Sequence, residues 1–190
     1  MIVGRILSPV HSLGPGNRVC IWTQGCRKHC AGCISEDLQN PNGVQVREED
    51  LAMLLCHLAE KNECPGLTVS GGDPFEQAAG LLSLLRLVRG QFDDILVYTG
   101  FEREEIEAGC AGEEGKECLR YIDVLIDGPY VKARNVPGCV LRGSDNQVIH
   151  FLNENKRPLY EAYMKRGRQI EPFIHGDKTI ITGIFDEVKT

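Results

Sequence analysis

No stretch of this sequence stays apolar for the roughly 18–20 residues of a membrane span. No block of Lys or Arg stands out either. With 21 basic against 27 acidic residues the formal net charge is −6, so nucleic acid is not the expected partner and no membrane is. The first residues, MIVGRILSPVHSLGPGNR, contain apolar side chains but no continuous apolar stretch and no small-x-small cleavage site. A secretory signal is therefore not expected, and the cytoplasm is the expected compartment. Repeats, low-complexity segments and long linkers are also absent. What remains is ordinary for one globular domain: 190 residues, 42% hydrophobic and 25% charged, which is long enough for a real core.

Cysteine is the residue in excess. There are nine, an odd number that forbids complete internal disulfide pairing. Clustered cysteines in a reducing compartment more often hold metal or do redox chemistry. Cys20, Cys26, Cys30 and Cys33 fall in one segment. Cys56, Cys64, Cys110, Cys118 and Cys139 are scattered, and Cys56 sits within an apolar periodic run as a small buried residue.

The coarse pattern alternates strands with helices. VCIWTQG (Val19 to Gly25), LTVSGG (Leu67 to Gly72), DILVYTG and YIDVLIDG read as strands ending in glycine. REEDLAMLLCHLAEKN reads as a helix with an acidic first turn and an apolar face of Leu51, Leu54, Leu55 and Leu58. EQAAGLLSLLRLVRG is a second helix with Gly90 just beyond its end, and REEIEAG is a short third. CVLRGSDNQVIHFL reads as strand, polar turn and strand. Such alternation implies βαβ units around a parallel sheet. The expected fold class is α/β, an incomplete TIM-like βα barrel of parallel strands, with chemistry collected at the strands' C-terminal ends.

Three cysteines in the spacing Cys26-x3-Cys30-x2-Cys33 pose the chemical question. A closed zinc site needs four ligands. Cys20 or His29 could complete it, but no second ligand pair follows downstream. Cys20 shares a strand face with Trp22, a core residue, and is not counted as a ligand. A thioredoxin-like use of Cys30 and Cys33 leaves Cys26 idle, and a ferredoxin cluster wants four cysteines. Three thiolates on a loop after a strand can hold three irons of a [4Fe–4S] cube and leave the fourth open, as a catalytic site requires. A zinc site or three free thiols remain the alternatives. Gly71-Gly72-Asp73 can be a strand-end turn with Asp73 capping the next helix before Pro74. Thr99 can be merely a strand end, and Arg142, Ser144 and Asn146 can simply satisfy a turn.

The cysteine spacing is that of the radical S-adenosylmethionine superfamily, and SGGDPF (Ser70 to Phe75) resembles its glycine-rich methionine-binding motif. GPGNRVCIWTQGCRKHCAGC, SGGDPF, VYTGF, VLIDGPYV and LRGSDNQVIH, in that order, together resemble the anaerobic ribonucleotide reductase activating proteins, small activases of glycyl radical enzymes. The resemblance runs from about Gly14 to Phe151. It implies a single radical S-adenosylmethionine domain over 1–190, with a core of about 14–152 and an extension of about 153–190 packed on it. It implies Cys26, Cys30 and Cys33 as ligands of a [4Fe–4S] cluster. Gly32, Cys33, Ile34, Gly71, Gly72, Asp73, Thr99 and Arg142 would contact S-adenosyl-L-methionine. Gly32 replaces the aromatic residue common before the third cysteine, so only its backbone can touch the nucleoside.

The implied enzyme is an oxidoreductase. Its reduced cluster cleaves S-adenosylmethionine to a 5′-deoxyadenosyl radical, which takes a hydrogen atom from a glycine of a partner such as an anaerobic ribonucleoside-triphosphate reductase. No catalytic residue beyond the cluster is implied. The electron donor would be a flavodoxin or ferredoxin. A radical enzyme acting on a peptide or small molecule is the alternative, and a plain electron-carrier iron–sulfur protein a further one, against which the glycine motif argues. The tail RPLYEAYMKRGRQIEPFIHGDKTIITGIF is too apolar and β-branched for disorder. It is expected as a short helix and then a hairpin or edge strand, with HGD as turn chemistry, packed on the barrel's edge or open mouth; a docking surface for a protein substrate is the alternative.

Overall fold

The computed structural model describes residues 1–176 and 178–185. In chain order the elements are β1 (Ile2–Val10), β2 (Arg18–Thr23), β3 (Val44–Gln45), α1 (Glu48–Lys61), β4 (Gly66–Gly71), α2 (Ala78–Val88), β5 (Asp94–Tyr98), α3 (Arg103–Glu107), α4 (Gly112–Cys118), β6 (Val124–Asp127), β7 (Val148–Phe151), α5 (Arg157–Met164), β8 (Ile170–His175) and β9 (Lys178–Gly183). Seven strands form one sheet in the order β3-β1-β2-β4-β5-β6-β7, and β8 and β9 form a separate two-stranded sheet.

The centre β2-β4-β5-β6 is parallel, as alternation predicts. The sheet as a whole is mixed, because β1, β3 and β7 run antiparallel to their neighbours. Parallel neighbours need a long crossover, usually helical. Residues 11–17 and 128–147 supply no α-helix, so β1 and β7 return antiparallel. Strand β1 is an addition to the expected strands.

Alternate residues on the central strands face two different coverings, which is why the strands read as continuous apolar runs. Val19, Ile21, Leu67, Val69, Ile95, Val97 and Leu125 pack with Leu51, Leu55, Leu81 and Leu85 of α1 and α2. On the other face Leu96, Val124 and Ile126 pack with Tyr160 and Tyr163 of α5, and Cys20 and Trp22 pack with Phe173 of β8. The tail therefore covers a face of the large sheet; neither of its strands pairs with that sheet's edge. Gly176 occupies the hairpin turn, while Asp177 of the expected HGD turn, and 186–190 of the expected extension, lie outside the described residues.

Two local expectations are corrected. Leu54 is 45% exposed, and the buried stripe of α1 is Leu51, Ala52, Leu55 and Ala59; at about 100° per residue Leu54 falls just off that stripe. Cys139–Leu141 form no strand. Leu141 has φ 63°, a left-handed conformation that a pleated strand cannot hold.

The N-terminal ends of the parallel strands are closed by charge. Arg18 is fully buried. Its Nε donates to Thr68 Oγ1 (2.6 Å), its Nη1 to Asp94 Oδ2 (2.5 Å) and its Nη2 to the Leu67 carbonyl (2.6 Å). Tyr160 OH donates to the same Asp94 oxygen at 2.9 Å, tying α5 to this end. A buried ion survives only with such a shell of partners.

Candidate active-site cleft

The opposite ends of the same strands open on a cleft of about 450 Å³. After β2 the chain turns at Gly25 (φ 105°). The Gly25 N–H donates to the Leu38 carbonyl (2.8 Å) and the Cys26 N–H to the Gln39 carbonyl (2.9 Å). These bonds close the base of the loop that carries Cys26, Cys30 and Cys33. All three are half-buried free thiols, and all three line the cleft. Burial, helped by the nearby Asp73 charge and opposed by backbone hydrogen bonds, raises the Cys26 thiol's pKa. His29, at φ 44°, places Nδ1 3.0 Å from Gln39 Oε1. Lys28 anchors the loop sideways, with Nζ 4.3 Å above the Phe101 ring and 3.5 Å from Glu105.

Gly71 and Gly72 are where strand β4 crosses this loop's stem. A Cβ on Gly71 would lie 2.3 Å from the Thr23 backbone, and one on Gly72 2.3 Å from the Gly25 carbonyl oxygen. Glycine is needed here for close approach of backbones, with φ 125° at Gly71 as well. Asp73 is fully buried. Its carboxylate accepts from the Phe75 N–H (3.0 Å), the Thr99 hydroxyl (2.9 Å) and the Gly100 N–H (2.8 Å). It thus caps the short turn Pro74–Gln77 and also ties the ends of β4 and β5 together. Burial pushes its pKa up to about 6, against those three bonds, which act to lower it.

Gly32, Cys33, Ile34, Gly71, Gly72, Asp73 and Thr99 line the same cleft as the other two cysteines. Gly32 has φ 73°, and a Cβ there would come 3.1 Å from Lys132 Cδ, so both conformation and space favour glycine. Arg142 stands apart. It does not border the cleft; its Nη1 donates to the Gln147 carbonyl (2.8 Å). Gln147 itself, unnoticed in the sequence, staples the wall. Its Oε1 accepts from the Gly143 and Ser144 N–H groups and its Nε2 donates to the Gly128 carbonyl. Tyr98 and Trp22 also border the cleft, as do residues 181–185 of the tail. Trp22 and Tyr98 lie on the strands that lead to Cys26 and Thr99, whereas local sequence offered no signal for 181–185, which arrive from a distant element.

Among the described residues no three His, Cys, Asp or Glu side chains stand together at metal-binding distance. The donor set nevertheless fits an iron–sulfur cube. All three border the cleft, none is tied in a disulfide, and Cys20 is buried in the core and does not border it. Burial, more than the neighbouring Arg18 charge can offset, pushes Cys20 up to about 12 and keeps it a neutral thiol.

Residues 12–150 match the family model described as 4Fe-4S single cluster domain. Similar proteins carry the name anaerobic ribonucleoside-triphosphate reductase-activating protein, among them these three. That of Vibrio cholerae is 32% identical over 143 residues, covering 72% of this chain and 89% of the relative. That of Enterobacteria phage T4 is 37% identical over 142 residues (72% and 85%), and that of Escherichia coli K12 is 31% identical over 147 (73% and 91%). The chain belongs to the family of anaerobic ribonucleoside-triphosphate reductase-activating proteins. Among the described residues no helix is long and apolar enough to cross a membrane.

Proposed function

We propose that this protein is a radical S-adenosylmethionine activase that installs a glycyl radical on an anaerobic ribonucleoside-triphosphate reductase. The observation that carries this is the sharing of one cleft by Cys26, Cys30 and Cys33 with the Gly71–Asp73 strand end. Family membership supports it, because the named relatives are activating proteins of that reductase.

In this reading Cys26, Cys30 and Cys33 hold the cluster, and the chain supplies no fourth thiolate. When bound, the cluster supplies the electron that splits S-adenosylmethionine into methionine and a 5′-deoxyadenosyl radical. The carbonyls of Gly71 and Gly72, with Asp73, would take the methionine amino group, and Asp73 steadies that strand end through its bonds to Thr99 and Gly100. Gly32, Cys33 and Ile34 offer backbone to the nucleoside. Arg142 acts at one remove, by holding the Gln147 loop. The parallel order β2-β4-β5-β6 supports reading the sheet as part of an incomplete βα barrel, with 1–190 as one domain. Electrons would come from a flavodoxin or ferredoxin.

The test is anaerobic incubation of the reconstituted protein with reductant, S-adenosylmethionine and a candidate reductase. A glycyl radical doublet in the electron paramagnetic resonance spectrum is expected. A reductase that stays radical-free while 5′-deoxyadenosine accumulates would move the reading to another substrate.

A further inference from the structure

We propose that the hairpin β8–β9 is the wall that selects the protein partner, with Glu171 as the positioning residue that fixes it beside the cleft. This rests on the function proposed above. A glycine within a folded protein reaches a cleft of about 450 Å³ only if the chain on either side of it lies on the rim, because clefts of roughly 300–1,000 Å³ suit small ligands. The hairpin is part of that rim, and it lies beyond residues 12–150, where the family match ends.

Register divides the hairpin into two faces. Ile170 pairs with Gly183, Pro172 with Ile181 and Ile174 with Thr179, and directly paired residues share a face. On this face Ile170, Ile174 and Ile181 are 61%, 79% and 50% exposed. Ile181 and Gly183 also border the cleft, so the strip meets the cleft at that end. Neither strand pairs with the large sheet. An extended chain can therefore add to a strand edge and lay alternate apolar side chains on the strip. The occupant assigned is the reductase's extended, apolar segment flanking its glycine.

The other face is fastened down. Glu171 Oε1 accepts from the His11 N–H (2.6 Å), the Ser12 N–H (3.0 Å) and the Ser12 hydroxyl (3.0 Å). Its Oε2 lies 3.1 Å from His11 Nδ1. Thr182, directly opposite on β9, lies 2.8 Å from Ser12 Oγ through its own hydroxyl. Glu171 thus sets where the strip stands without being part of it.

The experiment follows glycyl radical formation against reductase concentration. Glu171→Ala is expected to raise the half-saturating concentration about tenfold, or about 1.4 kcal/mol, with partner-free 5′-deoxyadenosine formation unaltered. Glu171→Gln keeps the Oε1 acceptor and should recover most of the loss. Ile174→Asp, on an exposed position that folding does not need, should also raise it. Unchanged half-saturation in both Glu171→Ala and Ile174→Asp overturns the proposal. So does partner-free cleavage falling in step with radical formation, since the hairpin would then serve the cofactor's site. A dimer of the chain that Ile174→Asp splits, with reductase dependence unaltered, also overturns it. Calorimetric binding of the reductase needs no chemistry. Weaker binding by both variants supports the wall even if S-adenosylmethionine is not cleaved, and equal binding overturns it.

Discussion

Arg18 opens strand β2 and Cys26 follows its far end, and the two ends treat polar groups in opposite ways. At the Arg18 end the guanidinium, Thr68, Asp94 and Tyr160 are hydrogen-bonded to one another in the buried interior, with Asp94 Oδ1 left over. At the Cys26 end three thiols face a cleft with no partner thiol. The first arrangement spends hydrogen-bonding capacity on holding the tail to the sheet. The second leaves it available for a group from outside. Stability and chemistry are thus divided between the two ends of the same strands.

The sharpest way to break this comparison is at the closed end. Arg18→Ala should cost about 3–5 kcal/mol, because it strands Asp94 as an unpaired buried charge. Denaturant unfolding of the cluster-free protein measures it. Tyr160→Phe removes one bond to that carboxylate and should cost about 1.5–3 kcal/mol, with α5 loosening first in hydrogen exchange. Gly72→Ala sits at the junction of the two ends' roles. Its new methyl would meet the Gly25 carbonyl, so about 1–3 kcal/mol should be lost and the cysteine loop displaced, read as lowered iron content. At the open end, Cys30→Ala or Cys33→Ala should change unfolding of the cluster-free protein by no more than about 0.5 kcal/mol, because these half-buried thiols border the cleft and are not packed in the core. A closed end that tolerates Arg18→Ala, or an open end that unfolds on losing Cys33, would dissolve the distinction.

The two ends were unequally legible. The open end could be read because its chemistry is local: Cys26, Cys30 and Cys33 lie in one loop, and Gly71 to Asp73 directly follow a strand. The closed end could not. Arg18 looks like any basic residue before an apolar run, and its partners come from β4, β5 and α5. Strand β1 was missed although Ile2, Val3, Ile6 and Leu7 are apolar, because Gly4, Ser8 and Pro9 interrupt any clean alternation. Leu141 looked like a strand residue until its backbone angle was known. The tail's helix and hairpin were legible from composition. Their place on the sheet's inner face was not, since it is fixed by contacts such as Tyr160 to Asp94 and Glu171 to Ser12.

The most direct test of the open end is iron and S-adenosylmethionine cleavage in the protein alone. Anaerobic reconstitution should give about four irons per chain, and added reductant with S-adenosylmethionine should yield 5′-deoxyadenosine. Both should vanish in Cys26→Ala, Cys30→Ala and Cys33→Ala and persist in Cys20→Ala. A stable zinc site in the anaerobic protein, or a full cluster in Cys33→Ala, would contradict the account.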